Sequence, residues 1–156
     1  MKIIFLDIDG VISTSQCWGR GNDNKWDAYM FDPKCVAVLN SILIETGTEI
    51  ILSSDWKHHY SLTEMRDIFT HNGVIKGPIG FTPHSSLYTG DNLEGGRIDE
   101  IHEWLKVHNV KDDLTWVAVD DLKMFDLEHF VHCPKHMEGI KQTGVKEKIL
   151  KILNGK

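Results

Sequence analysis

Two aspartate pairs carry the chemistry that can be read from this chain. Asp7 and Asp9 follow the apolar run Ile3-Ile4-Phe5-Leu6, and Asp120-Asp121 follow Trp116-Val117-Ala118-Val119. Carboxylates gathered in one place repel each other, a cost that makes sense where a divalent cation or a shared proton sits between them. Four of them without a local excess of cations favour a hard, oxygen-seeking metal, magnesium first, which completes its shell with water and substrate phosphate. Ser53 and Ser54 close a further apolar run, Ile50-Ile51-Leu52. Hydroxyls and backbone amides at a strand end can cradle a phosphate. Metal-assisted phosphoryl chemistry is the reaction class that these residue types suit together. Taken singly, each is ordinary: Asp-x-Asp-Gly is also a plain turn and Ser-Ser-Asp a plain helix start.

The elements that must position them can be read in order. The opening run suits a strand buried on both faces, and Gly10 permits the abrupt turn that follows Asp9. Ser13 to Phe31 reads as a long loop or flap leaving directly from the paired aspartates, with Trp18, Arg20, Lys25 and Trp26 as candidate substrate contacts. Asp32-Pro33 starts a helix with an apolar stripe at Val36, Leu39, Ile42 and Leu43, stopped by Gly47. Thr48 to Ser53 is a second buried strand, which implies a right-handed parallel crossover. Ser61-Leu62-Thr63-Glu64 is a capping box for a helix stopped near Gly73. Val74 to Gly80 suits a short edge strand and Phe81 to Gly96 a surface loop. Arg97 to His108 reads as a helix that places Arg97 in its first turn, where the helix dipole disfavours a cation. Trp116 to Val119 is a strand, Phe130 and Val131 a short fifth one, and Thr143 caps a last helix carrying Val145, Ile149, Ile152 and Leu153.

The whole chain sets limits on these readings. With 156 residues, an ordinary apolar fraction and a formal charge of −6, it suits one domain with a full core, 1–156, and not a coat for long nucleic acid. A nucleotide or a nucleic-acid end is not excluded. Cys17, Cys35 and Cys133 lack metal-ligand spacing and read as reduced thiols of a cytoplasmic protein; zinc at Cys133 with His132 and His136 would need a fourth ligand from elsewhere. No apolar run approaches membrane-spanning length, and the first strand leaves no room for a signal peptide.

In open parallel sheets, ligands bind outside the carboxyl ends of the strands, where three of these strands finish. The chain resembles the haloacid dehalogenase (HAD) superfamily of phosphohydrolases. Phe5-Leu6-Asp7-Ile8-Asp9-Gly10 matches its first motif, Ile51-Leu52-Ser53 its second and Val117-Ala118-Val119-Asp120-Asp121 its fourth, in the proper order. The resemblance implies a three-layer, Rossmann-like α/β fold with a parallel sheet of about five strands in the order 3-2-1-4-5, and no large cap domain. It implies Asp7 as the nucleophile that carries an aspartyl-phosphate, and Asp9 as general acid and then base, its carbonyl helping to hold magnesium. Asp120 and Asp121 complete the metal site, while Ser53 and a third-motif cation hold the nonbridging phosphoryl oxygens. Arg97 is the choice for that cation, with Lys57 and Lys76 as alternatives. Gly10, Ser54 and Lys57 join the candidate substrate contacts.

The substrate is narrowed by a second likeness. The stretches from Phe5 to Val11, from Leu52 to Lys57, and Gly95-Gly96-Arg97-x-x-Glu100-Ile101-x-x-Trp104-Leu105 are similar to the HAD domain of Swiss Army Knife RNA repair proteins. That likeness implies a phosphate on a nucleotide or polynucleotide end. The segment Ser13 to Phe31, which follows the nucleophile strand, is then expected to bring Arg20 and Lys25 to backbone phosphates and Trp18 or Trp26 onto a base. Phosphorylated proteins or small metabolites are the alternative substrates. Two other classes stay open: a silent magnesium- and phosphate-binding module, which the presence of both Asp7 and Asp9 opposes, and a receiver domain. Receivers place the acidic pair near the first strand and the phosphorylated aspartate on a later one, the reverse of this order.

Overall fold

A computed structural model of the chain describes residues 1–15, 17, 31–84 and 92–155. Five parallel strands form one sheet: β1 (Lys2–Leu6), β2 (Glu49–Leu52), β3 (Gly80–Phe81), β4 (Thr115–Asp120) and β5 (Phe130–His132). Their spatial order is β3-β2-β1-β4-β5, the expected 3-2-1-4-5. Four helices cover the two faces: α1 (Pro33–Thr46), α2 (Leu62–His71), α3 (Leu93–His108) and α4 (Val145–Asn154).

Strand alternation divides the core in two. Ile4, Leu6, Ile50, Leu52, Val117 and Val119 face α1, α2 and α4. Ile3, Phe5, Ile51, Trp116 and Ala118 face α3 and the segment after β4, where Met124 and Leu127 are buried. Phe5 meets Trp104 and Trp116 edge to face, at centroid distances of 5.3 and 5.7 Å. This aromatic trio anchors α3, and truncating such a phenylalanine to alanine typically costs about 3–5 kcal/mol. The connections on either side of β1 therefore run over opposite faces, which opens a crevice between the carboxyl ends of β1 and β4.

Local signals explain most of the boundaries. Asp32 caps α1 by accepting from the Lys34 amide, and Gly47 ends it in the left-handed conformation with φ of 67°. Ser61 and Glu64 form both bonds of the capping box on α2. Three boundaries differ from expectation. The edge strand is Gly80–Phe81, at the end of the expected stretch. The last helix is preceded by Gly144 at φ of 91°, with no side-chain cap from Thr143. The most consequential change is in α3, which starts at Leu93, four residues before Arg97, because the Asn92 side chain accepts from the Gly95 amide and caps it. Gly95 and Gly96, which suggested a loop, lie inside the helix. Arg97 is thus beyond the first turn, and the conflict with the helix dipole does not arise.

Candidate active site

Register sets the level of the site. Leu6 pairs with both Leu52 and Val119, so Asp7, Ser53 and Asp120 are the next residues on three adjacent strands. The backbone stays in the ladder there: the Asp7 amide donates to the Val119 carbonyl at 3.2 Å and the Ser53 amide to Leu6 at 3.0 Å. The three functional positions therefore share one edge because three apolar runs end at one register.

The fourth component arrives from α3. Arg97, Glu100, Ile101 and Trp104 fall at spacings of three, four and seven residues, one stripe of a helix. Ile101 and Trp104 pack on the sheet, and the same stripe continues upward to deliver Arg97 to the strand ends. Arg97 Nη1 lies 3.0 Å from Asp120 Oδ2 and 3.4 Å from Asp7 Oδ1, while Nη2 lies 3.0 Å from Asp55 Oδ1. Arg97, Asp7 and Asp120 are all buried.

One oxygen from each of Asp7, Asp120 and Asp121 lies within 4.8 Å of the others, and this is the metal-sized acidic group among the described residues. An all-oxygen donor set at this spacing fits a hard divalent cation such as magnesium. Asp120 is wholly buried and also accepts from the Leu122 amide at 3.0 Å, whereas Asp121 lines the open cleft. Gly10 makes room for it. At φ of +80°, a Cβ on Gly10 would sit 2.5 Å from Asp121 Oδ2, so only glycine allows the β1 turn and the second acidic pair to approach this closely.

The charges are strongly coupled. Burial, then repulsion from Asp120, drives the Asp7 carboxyl well above the usual carboxylate range, against the pull of Arg97. Burial and the Asp120 charge push Asp121 up to about 6. Burial alone would lower the Arg97 pKa, but the Asp7, Asp120 and Asp55 carboxylates overcome it and raise it. Asp9 stands at the rim, its residue exposed, and the adjoining protein wall raises its pKa while a hydrogen bond from Trp56 opposes that rise. Trp56 Nε1 donates to Asp9 Oδ2 at 2.9 Å.

Two cavities meet here. The cleft, about 160 Å³, is lined by Asp7, Asp9, Ser54, Asp55, Arg97 and Asp121 among others. A larger one, about 470 Å³, is lined by Asp9, Asp55, Trp56, His59 and Tyr60. Asp9 and Asp55 border both.

The geometry sorts the residues read from the sequence. Asp7, Asp9, Gly10, Ser54, Arg97, Asp120 and Asp121 come together. Ser53 is at the right register, and both it and Ser54 are buried; Ser54 lines the cleft, and its Oγ accepts from the Trp56 amide at 3.3 Å. Lys57 requires a correction. Its ammonium is buried and donates to Thr82 Oγ1 at 2.8 Å and Glu100 Oε1 at 2.9 Å, so it is a closed structural pair and not a substrate contact. The physical reason is tertiary: α3 packs on the sheet with Glu100, one turn after Arg97, facing the turn that follows β2, where it meets the Lys57 ammonium. Lys76 likewise pairs elsewhere, with Glu49 at 3.2 Å. Trp18, Arg20, Lys25 and Trp26 lie outside the described residues.

The zinc alternative also fails on geometry. Among the described residues Cys133, His132 and His136 form no metal-sized group, and His132 Nε2–H donates to the Asp121 carbonyl at 3.0 Å. Cys17, Cys35 and Cys133 are free and buried.

Asp55, Trp56, Thr82 and Glu100 carry no role in the sequence reading, although Asp55, Trp56 and Glu100 lie in the stretches that resemble the RNA-repair domain. Asp55 and Trp56 directly follow the serine motif, and Glu100 stands at helical spacing from Arg97. Those adjacencies were the available signals.

The family model described as the HAD domain in Swiss Army Knife RNA repair proteins matches residues 3–145. The chain belongs to this HAD family. No curated protein and no solved structure matches it significantly. The sheet order and the absence of a large cap among the described residues fit a small HAD fold. None of the described helices is long and apolar enough to cross a membrane.

Proposed function

We propose that the protein is a magnesium-dependent phosphomonoester hydrolase that works through an aspartyl-phosphate on Asp7. The observation that carries this reading is the convergence of Asp7, Asp120 and Asp121 on one buried edge with Arg97 in contact with two of them. A bound magnesium would neutralise the carboxylates enough for a phosphate to approach and would polarise its oxygens. Asp7, Asp120, Asp121 and the Asp9 backbone carbonyl are the groups that would hold it.

The other steps belong to the chain itself. Asp7 forms a bond to phosphorus as the ester P–O bond breaks, and Asp9 gives its proton to the departing oxygen. Asp9, now a carboxylate, takes a proton from the water that attacks the phosphorus of the phosphoaspartate, which releases inorganic phosphate and restores Asp7. Arg97 and Ser54, with Ser53 at the same register, steady the nonbridging oxygens. The open cleft and the RNA-repair family favour a phosphate on a nucleotide or polynucleotide end. Trp18, Arg20, Lys25 and Trp26 are the side chains we assign to such a substrate.

A screen with magnesium across nucleotides, end-phosphorylated oligonucleotides, phosphopeptides and sugar phosphates tests the reading. Phosphate release is expected with magnesium and lost with chelator. Full turnover in excess EDTA would refute the mechanism, and no preference for the oligonucleotide over a small ester would remove the nucleic-acid assignment alone.

A further inference from the structure

We infer that Trp56 is a positioning residue for Asp9: its indole N–H pins one carboxyl oxygen and so fixes which oxygen handles the proton. The inference rests on the phosphohydrolase reading above.

Asp9 needs such a device more than its partner does. Asp7 is immobilised by burial, but Asp9 is exposed at the junction of the two cavities, where an aspartate side chain would otherwise sample several rotamers. The indole lies 2.9 Å from Asp9 Oδ2. An indole nitrogen can only donate. The oxygen it meets is an acceptor, and because the carbonyl oxygen of a carboxylic acid accepts better than its hydroxyl, the bond favours the proton on Oδ1 in the protonated acid. In the carboxylate, the same bond stabilises the charge.

Trp56 is itself rigid. It is 7% exposed, with Phe31 at 6.0 Å and Tyr60 at 5.8 Å between ring centroids, and Phe31 is in turn wedged against Phe69 at 5.2 Å. Ser54 Oγ accepts from its backbone amide. The short 3-10 turn Asp55–His58 thus converts core packing into a fixed donor at the rim. Asp55, one residue earlier, holds Arg97 at 3.0 Å, so consecutive residues of the turn face the two halves of the reaction. The bland alternative is a core tryptophan whose N–H happens to be satisfied.

The two are separated by Trp56→Phe, which keeps an aromatic ring and removes the donor. Proton donation matters for an alkoxide leaving group and little for p-nitrophenolate. The expected result is a fall in kcat/KM on 2-phenylethyl phosphate at least tenfold larger than the fall on p-nitrophenyl phosphate, since a placed acid contributes about 10²–10⁴-fold in all. Equal falls on both esters, or none, would overturn the proposal. A second readout needs no turnover. Nitrogen-15 spectra resolve the indoles of the five tryptophans, and the resonance lost in Trp56→Phe belongs to Trp56. Asp9→Ala should move that resonance upfield and speed its exchange with water; an unmoved resonance would overturn the contact. If the unmutated protein hydrolyses no phosphoester while Asp9→Ala still moves the indole, the phosphohydrolase reading falls and takes the catalytic role with it, but the bond stands.

Discussion

Two buried charge clusters lie one helical turn apart on α3, and they are built on opposite principles. Glu100 meets Lys57 at 2.9 Å, one anion for one cation, with Thr82 taking a further ammonium proton. Burial lowers the Lys57 pKa, and the Glu100 carboxylate opposes that fall. Three residues earlier, Arg97 faces Asp7, Asp120 and Asp55, with Asp121 beside them: four carboxylates around one guanidinium. The first cluster is complete as it stands. The second has an excess of negative charge that further positive charge would relieve, and this excess is what distinguishes a site from a strut.

The largest effect that separates them is on turnover. Asp7→Asn keeps the shape of the side chain but removes the nucleophile, and should lower kcat by about three decades or more while the circular dichroism spectrum is retained. A variant with near-normal turnover would place the phosphoryl group elsewhere. Substitutions at Lys57 and Glu100 should act on stability first.

Breaking the strut should be the largest effect on folding. Lys57→Met alone leaves a buried carboxylate unpaired and should cost about 3–5 kcal/mol in urea unfolding. Lys57→Met with Glu100→Leu should recover most of that loss, because the pair exchanges for apolar contacts. A double variant as unstable as the single one would mean that the pair fixes α3 in a way that packing cannot replace.

The acidic cluster should respond to metal and to pH where the strut does not. Magnesium at a hundredfold excess over its dissociation constant should stabilise the fold by about 2.7 kcal/mol, read as a concentration-dependent rise in Tm. Without metal, the Asp121 pKa of about 6 lies above its unfolded value. The folded state then binds more protons than the unfolded state between the two values, so this group makes stability fall as pH rises from about 4 to about 6, and the raised Asp7 carboxyl adds a fall of the same sign. Asp121→Asn should flatten that fall, stabilise the metal-free protein at pH 8, and weaken the magnesium effect. The same fall persisting in Asp121→Asn would assign it to another group.

The smallest expected effect concerns the approach of the two acidic pairs. Gly10→Ala puts a methyl group 2.5 Å from Asp121 Oδ2 at a positive φ, and should cost about 1–3 kcal/mol. It should also weaken magnesium binding. A loss of stability with unchanged metal affinity would show that Asp121 does not need that position.

Much of the fold was legible because apolar runs, caps and glycine stops are local signals. Asp32 before Pro33 and Ser61 three residues before Glu64 act as their types suggest. The start of α3 was not legible, since Gly95-Gly96 outweighs Asn92 on propensity, although the Asn92 side chain, accepting from the Gly95 amide, caps the longer helix. The fate of Lys57 was not legible either: Glu100 lies on α3 under either start, and only packing brings it to an ammonium 43 residues away in sequence.

Sequence alone determined which residues end the central strands, because a strand buried on both faces has to be apolar and the first polar residue marks where it leaves the sheet. Asp7, Ser53 and Asp120 were placed at one edge on that ground. Which partner each charged group meets was decided by tertiary structure. Trp56 reaches Asp9 across 47 positions, Glu100 reaches Lys57 across 43 and Arg97 reaches Asp120 across 23. No local pattern encodes such distances. They are set by how α3 packs on the sheet and by how the aromatic core seats the turn after β2, and a buried charge takes whichever partner that packing brings within reach.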